Sequence, residues 1–118
     1  MPGIDTWVDQ LAHDNSSLII VEGKNDKKAL NRLGIENVYP IDKPIYALVE
    51  SIIEKKKEVI ILTDFDKTGR KLYFRIKHDL QKQGVKINDK YRRFLSRCKI
   101  THVEGLFTYY LNNSKEFL

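Results

Sequence analysis

The sequence predicts an α/β fold: a mainly parallel, four-stranded central sheet with helices on both faces. Three observations carry that expectation. Leu18-Ile19-Ile20-Val21 and Val59-Ile60-Ile61-Leu62 are unbroken apolar runs rich in β-branched residues, the pattern of strands buried on both sides. Segments with helical spacing of apolar residues lie between the runs, long enough for crossover connections. Both runs lead into carboxylates, Glu22 after the first and Asp64 after the second, at the strand ends where open parallel sheets gather functional groups.

The elements follow in order. Ile4, Trp7, Val8 and Leu11 recur at helical spacing, which predicts a short amphipathic helix over 3–13. Polar residues at 14–17 break it before the first strand, 18–21. Residues 25–33 read as a helix that Asn25 or Asp26 starts and Gly34 stops. Residues 37–41 form a weaker strand, and Pro44 suits the first turn of a helix running to about residue 57. The second apolar run gives a strand at 59–62, after which Thr68 or Gly69 opens a long helix ending near Gly84. Asn88 caps a helix over 91–97, residues 98–103 supply the last strand, and a terminal helix covers 104–112. The expected organisation is a single domain over 1–118 with its core at 18–103, without repeat, low-complexity tract or linker.

A chain of 118 residues can bury one sizeable core without staples. Its single cysteine, Cys98, excludes an intrachain disulfide and a cysteine zinc site, and suits a reducing cytosol. Residues 1–15 show no secretory pattern and the apolar runs are far too short to span a bilayer, so a cytoplasmic protein away from membranes is expected. The net charge of +5 is unevenly spread. Residues 67–99 hold 12 Lys or Arg against two acids, while the rest holds 9 against 14. That asymmetry suggests a basic face for a polyanion beside an acidic region, against the plainer alternative of a solvated helical face.

The acidic region has a pattern. In an extended segment Asp64 and Asp66 point to the same side, and Glu22 joins them if the two strands are neighbours. Three adjacent carboxylates repel one another, and a hard divalent cation relieves the repulsion. Magnesium is the expected ion, with manganese as a substitute. Gly23 and Gly69 would let backbone approach a phosphate closely. The alternative is that Asp64 and Asp66 are only turn and cap residues before a helix. A calcium loop beginning at Asp64 is excluded, because its twelfth position would be Arg75, where a bidentate Glu is required.

Two resemblances follow from these residues. Asp64-Phe65-Asp66-Lys67-Thr68 resembles the opening motif of haloacid-dehalogenase-type phosphatases, which would make Asp64 a nucleophile. That motif normally opens its fold, and only 54 residues follow here without a later acidic pair. Glu22-Gly23-Lys24-Asn25-Asp26, followed 42 residues after Glu22 by Asp64-Phe65-Asp66-Lys67-Thr68-Gly69, more closely resembles the Toprim domain of topoisomerases, bacterial-type primases, recombination factors and several nucleases. The likeness runs from about Leu18 to Val103 and looks closest to small stand-alone Toprim proteins of archaea and some bacteria. It implies a Rossmann-like α/β fold, Asp64 and Asp66 as magnesium ligands, and Glu22 as acid/base or further ligand. Asp26 matches an acidic position that often follows the Glu-Gly. Toprim topoisomerases draw a catalytic tyrosine from a separate domain, which this chain has no room for.

The remaining candidates lie after Asp66. Lys67, Lys71, Arg75, His78 and Lys82 fall on one helical stripe beginning beside the carboxylates, able to track a phosphate backbone into the site. Lys24, Lys67, Arg70, Lys71 and Arg75 are the candidate nucleic-acid contacts, and Arg92, Arg93 and Arg97 form a second basic cluster. Tyr73 and Phe74 can stack on bases, although core packing is expected of at least one. His102 and Glu104 read first as a surface histidine and a helix cap, and alternatively as accessory groups near the metal. Together these features point to a magnesium-dependent nuclease or other phosphodiester-processing enzyme on RNA or DNA, with single strands favoured. The alternatives are a non-catalytic nucleic-acid-binding subunit of an RNA-processing complex and a phosphatase acting through Asp64.

Overall fold

The computed structural model describes residues 3–114. Three parallel strands form the sheet: β1 (Ser17–Val21), β2 (Val38–Pro40) and β3 (Glu58–Ile61), in the order β2-β1-β3. The register pairs Ile19 with Val38 on one side of β1 and with Ile60 on the other. β1 is central, and all five of its residues are buried, as an unbroken apolar run requires. Among the described residues six helices accompany the sheet: α1 (Ile4–Ala12), α2 (Lys24–Arg32), α3 (Ile45–Lys55), α4 (Lys67–Lys82), α5 (Lys90–Arg97) and α6 (Leu106–Asn113), with a 3-10 turn at Val103–Gly105 before the last.

Alternation along the strands sorts the core into two layers. Leu18, Ile20, Val59 and Ile61 face α3 and α4, meeting Leu48, Ile52, Ile76 and Leu80. Ile19, Val21, Ile60 and Leu62 face the other way, toward Trp7 and Leu11 of α1, Leu30 of α2, Phe94 and Leu95 of α5, and Leu106 of α6. Trp7 is fully buried, and its indole Nε1–H donates to the Tyr91 carbonyl at 3.0 Å, tying α1 to α5. Gly34 and Gly84 follow α2 and α4 with φ of +83° and +79°, the left-handed conformation that ends helices. No helix among the described residues is long and apolar enough to cross a membrane.

The expected fourth strand at 98–103 does not form, and the edge of β3 shows why. Its N-terminal half is covered by residues 86–88, where Ile87 makes an isolated parallel bridge to Val59. Farther along, Arg92 Nη1 donates to the Thr63 carbonyl at 2.6 Å, taking an acceptor that a ladder would use. The 101–103 segment makes a single backbone hydrogen bond there, Phe65 N–H to the Thr101 carbonyl at 2.8 Å. The Val103 N–H is drawn off by the Asp64 carboxylate. An arginine and an aspartate thus occupy groups that a fourth strand needs.

Candidate metal centre

The carboxyl ends of β1 and β3 lie side by side because the strands are parallel neighbours. The chain leaves β1 into Glu22-Gly23, where α2 begins, and leaves β3 through Leu62-Thr63-Asp64 to Asp66, which caps α4. Glu22, Gly23, Lys24, Asn25, Asp26, Asp64, His102 and Glu104 line one open cleft of about 530 Å³.

Each acid is held differently. Asp64 is 9% exposed, and its Oδ1 accepts the Val103 N–H at 2.7 Å. Asp66 Oδ1 accepts the Gly69 N–H at 2.8 Å, the N-cap bond of α4, while Oδ2 lies 3.4 Å from His102 Nε2. Glu22 Oε1 accepts the Asp64 N–H at 2.8 Å, so the first turn grips the second directly. Partial burial raises the Glu22 carboxyl above its ordinary pKa, and the charges of Asp64, Asp66 and Asp26 push the same way. Asp26 is 6% exposed and bridges two backbone amides, of Gly23 at 3.0 Å and of Glu104. Burial first, then the Asp64 charge, raises its pKa as well.

The sequence places Glu22, Asp64 and Asp66 together, and the structure does bring them together, with one difference in the inner set. Candidate ligand atoms of Asp64, Asp66 and His102 lie within 4.8 Å of one another, whereas Glu22 adjoins that group through the Asp64 amide. His102 is exposed, as a surface histidine is expected to be, and its imidazole also falls within the acidic cluster, the alternative placement. Lys24 lines the cleft. Lys67, Arg70, Lys71 and Arg75 are exposed on α4, as are His78 and Lys82 of the stripe, and none of the six lines the cleft. Two carboxylates, a third beside them and an imidazole form a donor set that fits a divalent cation.

The two glycines part company. A Cβ at Gly69 would collide with the Asp64 backbone and the Glu22 carboxylate, so α4 packs against the strand end only because this residue is glycine. Gly69, expected to let backbone approach a phosphate, stands at the contact between the two turns. A Cβ at Gly23 would meet nothing within 4 Å, leaving the backbone open on the cleft side.

Arg92 departs furthest from its expected place. Only 7% exposed, it is no part of a surface cluster. Its guanidinium lies 4.3 Å from the ring centroids of both Phe65 and Tyr73, and its Nη1 and Nη2 reach the Thr63 and Asp64 carbonyls at 2.6 and 3.4 Å. It clamps the backbone that carries Asp64. Tyr73 is buried and donates its hydroxyl to Asp89 at 2.7 Å, while Phe74 is 65% exposed, so only Phe74 remains available for stacking. Sequence periodicity gave one signal for Arg92, its one-residue offset from Tyr91 and three-residue offset from Leu95 on a helix whose inner face those two define.

Fold and cleft together define a class: α/β proteins that gather acids at the carboxyl edge of a parallel sheet, at the neighbouring ends of β1 and β3. A family model, the Toprim domain, matches residues 17–100, and the chain belongs to that family. A UPF0292 protein of Methanocaldococcus jannaschii is 40% identical over 97 residues, covering 77% of this chain and 76% of that protein. One from Pyrococcus abyssi is 34% identical over 103 residues, covering 84% and 78%. A solved structure described as a putative protein from Aquifex aeolicus superposes with a TM-score of 0.81 at 36% identity, covering 88% of this chain and 98% of that one. Membership and acidic cluster agree on a metal-binding function related to nucleic acid, and they leave the haloacid-dehalogenase resemblance without support.

Proposed function

We propose that the protein is a metal-dependent phosphodiesterase that cleaves single-stranded RNA or DNA. The observation that carries this reading is the meeting of Glu22, Asp64 and Asp66 at the ends of two adjacent parallel strands. Asp64 and Asp66 would hold the cation, expected to be magnesium or manganese, and Glu22 would adjoin it. The bound cation would supply charge stabilisation at the scissile phosphate. Glu22 takes the part of general base, because its raised pKa brings proton acceptance nearer to neutral pH. Lys24 receives phosphate oxygens at the cleft, where the space beside the Cα of Gly23 is open. Lys67, Arg70, Lys71 and Arg75 draw the rest of the strand along α4 by charge alone, so binding weakens as salt rises.

A second reading keeps the basic stripe and drops the chemistry. The exposure of Lys67, Lys71, Arg75 and Lys82 outside the cleft supports a binding subunit of an RNA-processing complex. One experiment divides the two. Labelled single-stranded RNA and DNA are incubated with the protein in magnesium, in manganese and in chelator, beside Asp64→Asn. Metal-dependent cleavage that the variant loses supports the nuclease. Salt-sensitive retention without cleavage, equal in protein and variant, replaces it with the binding subunit.

A further inference from the structure

We infer that His102 is itself a metal ligand, so that the centre takes a first-row transition dication of the manganese kind in preference to magnesium. This rests on the metal reading above and goes beyond it in naming a nitrogen donor and the ion class that follows.

Placement comes first. His102 Nε2 lies 3.4 Å from Asp66 Oδ2, and the donor atoms of Asp64, Asp66 and His102 all fall within 4.8 Å of one another. That position is built into the backbone. Thr101 accepts the Phe65 N–H through its carbonyl at 2.8 Å, and Val103 donates its N–H to Asp64 at 2.7 Å. The residues on either side of His102 are therefore each bonded to the acidic turn, and the histidine between them is held against it.

The ring's other nitrogen points the same way. Nδ1 lies 3.0 Å from the Thr101 hydroxyl. In the tautomer that carries its proton on Nδ1, the ring donates to that hydroxyl and Nε2 turns a lone pair toward the Asp66 carboxylate, an arrangement that a cation between them stabilises; in the other tautomer the hydroxyl donates to Nδ1 and Nε2–H donates to Asp66. In the first, the hydroxyl does what an outer partner does for a metal-bound histidine, fixing tautomer and ring orientation.

Ion preference follows from donor type. Magnesium favours oxygen donors in a near-ideal octahedron and holds its waters tightly, whereas imidazole suits first-row transition dications. A set of two carboxylates and one imidazole therefore favours the transition ion, and manganese also retains the affinity for carboxylate oxygen that Asp64 and Asp66 offer.

The test uses the full chain freed of metal and loaded with manganese. Pulsed electron paramagnetic resonance reads nitrogen coupling to the bound ion directly, without any assay of activity. The wild-type protein is expected to show imidazole nitrogen coupling, and His102→Gln to lose it. In calorimetry the variant should bind manganese at least roughly tenfold more weakly, while magnesium affinity moves less than about twofold. Thr101→Val should keep the coupling with a smaller loss of affinity. Manganese bound without nitrogen coupling in the wild type overturns the inference and leaves the metal centre standing, with His102 as a neighbour of Asp66 that does not bind the ion. Coupling that persists in His102→Gln assigns the nitrogen to another histidine and also overturns it. Failure of the wild type to bind either ion overturns both the inference and the metal reading beneath it. His102 is half-exposed and outside the core clusters, so its substitution leaves packing intact, and the wild-type spectrum decides the question by itself.

Discussion

Gly23 and Gly69 both open helices just beyond buried strands, yet they stand in opposite surroundings. Behind Gly69 the Asp64 backbone and the Glu22 carboxylate leave no space for a methyl group; around Gly23 nothing lies within 4 Å of where one would be. The second turn is a packed joint. Its glycine carbonyl accepts the Thr63 hydroxyl at 2.7 Å and its amide donates to Asp66 at 2.8 Å, so both polar groups of the residue are committed internally. The first turn commits its polar groups as well, the Gly23 amide to Asp26 and its carbonyl to the Lys27 amide, but the side of its Cα that would carry a methyl group is open and lines the cleft. The difference teaches that a glycine beside an acidic cluster does not announce its purpose: one permits close packing of protein on protein, while the other leaves open space at the cleft.

Substitution breaks or sharpens this comparison. Gly69→Ala should cost about 3 kcal/mol or more of folding stability, since the clash is with backbone that cannot step aside. Urea denaturation measures it, and a near-neutral result would show that the joint is loose. Arg92→Met should cost about 2 kcal/mol, keeping most of the volume between Phe65 and Tyr73 but leaving the Thr63 and Asp64 carbonyls without their donor. It should also weaken metal binding by displacing Asp64, which calorimetry reads.

The pH dependence of the metal-free protein follows from the first turn. Glu22 and Asp26 both have pKa values raised above the ordinary 4.5 and 3.8, by burial first and neighbouring carboxylates after it. A raised carboxyl favours folding while it is protonated. Its contribution is therefore complete below the unfolded value and is lost as pH rises through the higher folded value. In chelator, thermal stability should fall over the interval just above those ordinary values, and Glu22→Gln should flatten that fall. A divalent cation added at neutral pH should restore stability to the wild type. The smallest effect belongs to Gly23→Ala. Its backbone, at φ −146° and ψ −179°, accepts alanine, so stability should stay within about 0.5 kcal/mol as a weaker cap offsets a stiffer unfolded chain. Binding of single-stranded nucleic acid in a gel-shift should nevertheless weaken, because the methyl group stands on the cleft side.

Where helix or strand depends on local pattern, the chain was readable. Leu18 to Val21 and Val59 to Ile61 lie buried in adjacent strands, and Leu72, Ile76 and Leu80 line the inner face of α4. The acids at the strand ends were readable for the same reason, since two parallel neighbours bring their carboxyl ends together whatever the details between them. Residues 98–103 were not: Ile100 and Val103 suit a strand, but Cys98 and Lys99 close α5, with Lys99 at φ +59°, and Arg92 and Asp64 take groups at the edge of β3.

By itself, then, the sequence determined the parallel sheet, the helices that cover it and the meeting of Glu22 with Asp64 and Asp66, because each follows from side-chain periodicity or from the ends of two runs. Tertiary structure alone decided that Arg92 is buried between two rings, that Gly69 is a joint and that His102 belongs with the acids. Those outcomes depend on contacts between residues far apart along the chain, such as Arg92 with Phe65 and Tyr73, Glu22 with Asp64 and His102 with Asp66, and on others within one turn of chain that exist only once the sheet has set their direction. A periodic pattern reports which side of an element is buried, and it carries no information about which partner waits there.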